Sequence, residues 1–273
     1  MKNIFILASI LVCFQISAQR KPKIKGNRKV VDVQQDLPPF NAIELKDDLE
    51  IRIRNSAREG YEITADDNLI DVLKFEVENG TLVISAFYNI TRSKKLDITV
   101  NYEHIDSITL FDGRVITDGA IATDEIYINT YGRSKLEIEA NAPSINLNME
   151  ENSSGEFKFN GEVMNFVLKD KTDARIYAAG DLNTLKLYAN AKVQLEGTTQ
   201  ELRANLIESS DLEGERLEAE AVFLTLQDRS SAHINALSTL ELTSRGSSKT
   251  YLFGAAEIKI LEFLDTSELH KEK

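Results

Sequence analysis

From Phe40 onward the chain alternates apolar and polar residues in short runs: Leu49-Ile51-Ile53, Tyr61-Ile63-Ala65, Leu73-Phe75-Val77, Leu82-Ile84-Ala86 and Leu96-Ile98-Val100. A period of two sends successive side chains to opposite faces of an extended backbone, so these runs predict half-buried β-strands. Asn79-Gly80, between Val77 and Leu82, predicts a tight hairpin, because the central positions of such a turn need positive φ. Apart from a turn near Asp67 to Leu73, no window sustains a helical period, and the chain reads as nearly all β.

Beyond Ile108 the alternation becomes a repeat. Ile128, Met149, Leu168, Leu185, Ala204, Leu226 and Leu242 are followed, at a constant gap of eight, by Leu136, Phe157, Ile176, Val193, Leu212, Ile234 and Thr250. A small residue precedes each second position (Ser134, Gly155, Ala174, Ala191, Ser210, Ala232, Ser248) and marks a bend. Ile108 and Ile116 show the same gap with Arg114 at the bend, which reads as an irregular first rung. The flanking positions Ile126, Leu147, Phe166, Asn183, Leu202, Leu224 and Leu240 are apolar except Asn183, and turn glycines recur at Gly161, Gly180, Gly197 and Gly254.

A unit of about twenty residues buries three or four side chains, worth roughly 1.5–3 kcal/mol each. Ordering it costs about 1–2 kcal/mol per residue. Such a unit folds only by stacking on its neighbours. The predicted architecture is therefore an all-β, right-handed parallel β-helix or solenoid of short strands. Unit lengths read as 16 to 22 argue against a hexapeptide-coded left-handed coil. The expected organisation is a signal peptide over 1–19, a flexible basic leader over 20–39, an N-terminal β region serving as cap or first rungs over 40–107, β-helix repeats over 108–264 and a polar tail over 265–273.

Lys2, the apolar run Ile4 to Phe14 and Ser17-Ala18-Gln19 match the three zones of a secretory signal, with cleavage near Ala18. The run is too short to span a bilayer core of about 30 Å, and no later segment approaches that length. The expectation is an exported protein that is periplasmic, outer-membrane-associated or extracellular. Cys13, the only cysteine, lies inside the signal, and Val12 before it is a poor context for lipidation. Without it the mature chain has no thiol for disulfides, nucleophilic catalysis or metal binding. The leader residues Lys21, Lys23, Lys25, Arg28 and Lys29 form either a solvated spacer or an electrostatic tether to anionic surface polymer.

The segments Phe40-Asn41-Ala42-Ile43-Glu44-Leu45, Leu49-Glu50-Ile51-Arg52-Ile53, Tyr61-Glu62-Ile63 and Asn79-Gly80-Thr81-Leu82-Val83-Ile84-Ser85 resemble a family of secreted Bacteroidetes-type proteins, the putative auto-transporter adhesins or head-GIN-domain proteins. The resemblance spans about Phe40 to Leu264 and implies a right-handed β-helical, exported chain with no established enzymatic role. Where the family has Gly-Ser-Gly-like bends, this chain has Arg133-Ser134, Asp173-Ala174 and Asn190-Ala191. The family carries over no catalytic motif.

A formal charge of -12 opposes binding to nucleic acid, which requires a positive surface for counterion release, and to an anionic bilayer. His104, His233 and His270 lack metal-ligand spacing, and the calcium-binding nonapeptide is absent, which leaves the acidic turns Asp170 to Asp173 and Asp211 to Glu213 as weak calcium ligands at most. No GxSxG occurs. The outward columns read Lys135, Glu156, Arg175, Lys192, Asp211, His233, Lys249 and Glu137, Lys158, Tyr177, Gln194, Glu213, Asn235, Tyr251, with no cluster of two or three carboxylates on adjacent rungs. That describes a solvated face, or a binding strip on which Tyr177 and Tyr251 stack against sugars. No catalytic, cofactor or metal residue is predicted. The expected function is a non-catalytic, adhesin-like module of the cell envelope, a binding or scaffolding element whose partner is an envelope polysaccharide or surface protein. The alternative is a carbohydrate-active enzyme, a polysaccharide lyase or hydrolase, which needs two carboxylates within about 10 Å and a basic residue beside them.

Overall fold

Residues 21–272 are described in the computed structural model. The predicted signal peptide and Cys13 lie outside the described residues. The chain opens with β1 (Lys23–Lys25), β2 (Val30–Asp36), β3 (Ala42–Leu45), β4 (Glu50–Asn55) and β5 (Gly60–Asp66), then a helical turn α1 (Asp67–Ile70). It continues through β6 (Leu73–Glu78), β7 (Thr81–Ala86), β8 (Asn89–Arg92) and β9 (Leu96–Tyr102). The repeat region holds β10 (Ser107–Leu110), β11 (Arg114–Asp118), β12 (Ile121–Ala122), β13 (Glu125–Thr130), β14 (Lys135–Asn141), β15 (Ser144–Met149), β16 (Ser154–Asn160) and β17 (Val163–Leu168). Four long strands follow: β18 (Asp173–Leu187), β19 (Lys192–Leu206), β20 (Asp211–Leu226) and β21 (Ser231–Ser244). The chain closes with β22 (Lys249–Phe253), β23 (Glu257–Phe263) and β24 (Glu268–Lys271).

Each rung contributes one strand to each of two sheets, giving a β-solenoid of about 9 turns. The first sheet runs β6-β7-β3-β10-β13-β15-β17 and on through the second halves of β18 to β21 to β23. The second runs β2-β5-β9-β4-β11-β14-β16 and through the first halves of β18 to β21 to β22 and β24. Between them lies one continuous apolar core from Phe40 to Ala256, as stacking of units that cannot fold alone requires.

The rung length is nearly constant. Lys135, Ser154, Asp173, Lys192 and Asp211 pair in succession, 19 residues apart. The next partners are Ser231, Lys249 and Glu268. The columns predicted from sequence are displaced by two residues in three units: Leu136 shares its column with Gly155, Ala174 and Ala232, not Phe157, Ile176 and Ile234, and Ile128 shares its column with Leu147, Phe166 and Leu224, not Met149, Leu168 and Leu226. A slip of two leaves every side chain on its own face, so hydrophobic alternation does not detect it. In β11 the slip is one residue: Val115 points inward, Ile116 pairs with Glu137, and Gly113 rather than Arg114 stands at the bend. A period of 19 is not a multiple of six, which excludes a hexapeptide-coded coil.

The N-terminal region is both rung and cap. β3 and β4 form a rung; the chain then leaves it, builds β5 to β9, and re-enters at β10 on the other side of β3. The cap strands close the end through antiparallel β2-β5-β9 and the β6–β7 hairpin, where Asn79 and Gly80 have φ of 51° and 79°. Residues 20–39, expected as a flexible leader, instead supply β1 on β8 and β2 on β5 from Lys23 on. The alternation Val31-Val33 and an available strand edge are enough to order them. The expected polar tail likewise contains β24, which pairs with β22. Among the described residues the far end is uncovered: Ile258, Ile260 and Phe263 pair with inward residues of β21 yet are 38%, 51% and 40% exposed.

Candidate functional site

From β13 onward, one corner of each rung turns through a residue in left-handed conformation. Gly132, Glu151, Asp170, Ala189, Glu208, Asp228, Gly246 and Asp265 form that column, with φ between 60° and 77°. Left-handed backbone costs a non-glycine residue about 1–2 kcal/mol. Carboxylates offset part of it: Asp170 accepts from the Glu151 N–H at 3.2 Å, Asp265 from the Gly246 N–H at 2.9 Å, and Glu151 from the Gly132 N–H. Two residues on, a buried hydroxyl closes the corner, as Ser153 Oγ does by donating to the Glu150 carbonyl at 2.9 Å. The sequence signal is an acidic or glycine residue two before a Ser or Thr at a period near 19, broken only by Ala189 and Ala191, and the displaced columns hid it.

The two sheets present opposite kinds of surface. On the first, the outward positions of β10, β13, β15, β17 and the second half of β18 are Ser107, Thr109, Glu125, Tyr127, Asn129, Ser144, Asn146, Asn148, Val163, Asn165, Val167, Leu182, Thr184 and Lys186. Only Glu125 and Lys186, at the margins, carry charge. The amides bond along the column, Asn148 to Asn129 and Asn165 to Asn146, both at 3.1 Å. Tyr127 is 44% exposed, and a hydrogen bond with the Glu125 carboxylate raises its phenol pKa, which keeps it neutral. A neutral, hydrogen-bonding area of this size is unusual on a chain of net charge -12.

On the second sheet, the outward positions of β14, β16, β18 and β19 are charged except Ser154, Tyr177, Gln194 and the strand-end column Asn141, Asn160, Ala179 and Thr198. The corrected register brings Glu137 and Glu156 onto adjacent rungs, against the expectation of no carboxylate cluster there. Arg114 binds Glu137, and Arg175 reaches Glu156 at 2.9 Å and Gln194 at 3.0 Å. Arg114, Glu137, Glu156 and Arg175 line an open recess of 370 Å³. Both carboxylates are well exposed, 45% and 67%, and each is held by an arginine. A general acid instead needs an apolar enclosure that keeps it protonated.

The sequence model of the family described as "Putative auto-transporter adhesin, head GIN domain" matches residues 39–184 and 152–256. The chain belongs to this family. Solved structures agree on the fold of this head-GIN-domain chain. A putative adhesin from Parabacteroides merdae superposes with TM-score 0.65 at 15% identity, covering 92% of this chain and 100% of that one. A protein described as a putative lipid binding protein, from Parabacteroides distasonis, gives 0.64 at 19% identity with the same coverage. A second Parabacteroides distasonis protein, a putative adhesin, gives 0.60 at 15%. No curated protein matches the chain.

The head-GIN fold places the residues singled out in the sequence as follows. Tyr177 and Tyr251 are in different columns: Tyr177 pairs with Lys158 and Glu196, Tyr251 with His233 and His270. Tyr251 is not an open stacking surface, because its ring lies 4.4 Å from His233 and 5.0 Å from His270, the latter nearly parallel. Tyr177, 46% exposed, keeps its ring free of aromatic neighbours among the described residues. His104 is at the other end, 2.6 Å from Asp106. Of the acidic turns, Asp170 is committed to backbone, and Lys192 sits 2.8 Å from Glu213 and 3.7 Å from Asp211. Among the described residues no group of three or more His, Cys, Asp or Glu is arranged to hold a metal, and no helix is long and apolar enough to cross a membrane.

Proposed function

We propose that this head-GIN-domain chain is an exported, non-catalytic binding module of the cell envelope, and that it engages an envelope polysaccharide or surface protein through a flat sheet face. The observation that supports it is the uncharged part of the first sheet around Tyr127, Asn146, Asn148, Asn165 and Thr184. Its amides and hydroxyls recur at the rung spacing of about 4.8 Å. That spacing suits a repeating, neutral, hydroxyl-rich ligand, and the exposed Tyr127 ring adds apolar contact.

The test is a glycan and envelope-fraction binding screen with the mature chain. Tyr127→Ala combined with Asn165→Ala should weaken any interaction by about tenfold or more, while Lys158→Gln on the opposite sheet leaves it unchanged. Absence of binding across the screen, or equal loss in both variants, refutes the reading. A second reading, a carbohydrate-active enzyme, draws on the Glu137–Glu156 pair with Arg114 and Arg175. It requires glycan turnover that Glu137→Gln and Glu156→Gln each abolish.

A further inference from the structure

The parallel pairing of β1 with β8 makes a second site at the cap, away from the uncharged face. Lys25 pairs with Arg92, and the Gly26 N–H donates to the Arg92 carbonyl at 2.8 Å. The chain then turns through Arg28, at φ 70°. Across from it, Ser93 and Lys94 form the turn from β8 to β9. Lys25, Gly26, Arg28, Arg92, Ser93 and Lys94 thereby line a recess of 590 Å³. All four cations are exposed, and among the described residues none of them is in an ion pair. Their neighbour Lys95 is paired with Asp97, and Arg114, Lys158, Arg175, Lys192, Arg216 and Arg245 on the solenoid are all paired.

Asp66 underlies the site. It is fully buried, its Oδ2 accepts from the Lys94 N–H at 3.0 Å, and its Oδ1 has no partner. A Cβ on Gly26 would stand 1.8 Å from that Oδ2, so only glycine lets the backbone close over the carboxylate. Asp66 thus fixes the turn from below while the four cations stay in surplus at the rim.

We infer that this recess is a binding site for a phosphate-bearing ligand. Two guanidinium forks fit phosphate oxygens bidentately, and two ammonium groups add charge that a single carboxylate would not balance. The chain's overall negative charge does not oppose this at short range, since screening confines exposed charges to about 8–10 Å. The source is either a lipid headgroup or a soluble phosphorylated glycan.

The mature chain is titrated with pyrophosphate by calorimetry, and sedimented with vesicles of phosphatidylcholine alone or mixed equally with phosphatidylglycerol. Arg28→Gln with Arg92→Gln should weaken pyrophosphate binding by about tenfold for each arginine removed. Lys25→Gln with Lys94→Gln should also weaken it, in case the arginine pair perturbs folding. Lys135→Gln with Lys186→Gln, an equal charge change elsewhere, should leave it unchanged. Sedimentation with the phosphatidylglycerol mixture, lost in the recess variants, assigns the lipid source; pyrophosphate binding without sedimentation assigns the soluble one. The inference is overturned if the wild-type chain binds neither probe, or if the control variant loses as much as the recess variants.

Discussion

Asn183 offers the sharpest test of the register. It occupies an inward column whose other members are Ile126, Ile145, Met164, Leu202, Val222, Leu240 and Ile258, packed directly between Met164 and Leu202. It is fully buried, and neither its amide nitrogen nor its oxygen has a partner. Burying an unpaired amide costs about 1–3 kcal/mol on mutational scales. Leucine at the same place removes that cost and adds roughly 1.5–3 kcal/mol of apolar burial. Its greater bulk takes back about 1–3 kcal/mol in repacking. The expected net is a gain of about 2 kcal/mol for Asn183→Leu, which raises the thermal midpoint by about 4–8 °C in a chain of this size. Thermal unfolding followed by far-ultraviolet circular dichroism measures it, with Asn183→Ala expected close to wild type because the void it leaves offsets the relief. A lower midpoint for Asn183→Leu refutes the reasoning, since the amide must then be hydrogen-bonded inside the solenoid.

Gly180→Ala should lower the midpoint, with a cost of about 2 kcal/mol: its Cβ would lie 2.2 Å from the Gly161 carbonyl oxygen of the preceding rung, which cannot retreat without unstacking. An unchanged melting curve would show that the rungs can separate there. Glu213 gives a pH dependence. The hydrogen bond from Lys192, opposed by partial desolvation, holds its carboxyl below the ordinary 4.5. A depressed folded-state value means the stabilisation is complete above the unfolded value and is lost as pH falls through the folded one. The midpoint difference between wild type and Glu213→Gln should therefore be present at neutral pH and shrink as the pH falls below the ordinary carboxylate value toward the lowered folded-state one; a pH-independent difference contradicts the assignment.

Alternation made the strands legible, and Asn79-Gly80 made the hairpin legible, because both depend on local geometry. Which strand lies beside which was less legible: Gly155 and Phe157 are both inward, and only backbone pairing tells them apart. That ambiguity concealed the Glu137–Glu156 adjacency and the left-handed corner, since both exist only in the correct register. The uncharged face was readable in principle, but it lies on the first strand of each unit, whose outward residues are chemically plain: asparagine, serine and threonine. The cationic recess was not readable at all. Arg28 and Arg92 are far apart in sequence and meet because β1 adds to β8.

The near-constant rung makes the molecule's length an independent variable. Removing Asp173–Ala191 would join Thr172 to Lys192 and put Lys192 in the place of Asp173, with which it shares a column, so β19 would stack on β16 and β17 and every later strand would keep its facing. The product would be shorter by one rung, about 4.8 Å along the axis, with the cap and the far end unchanged in kind. The span of the solenoid is thus set by the number of rungs, without any change to the cap that starts it.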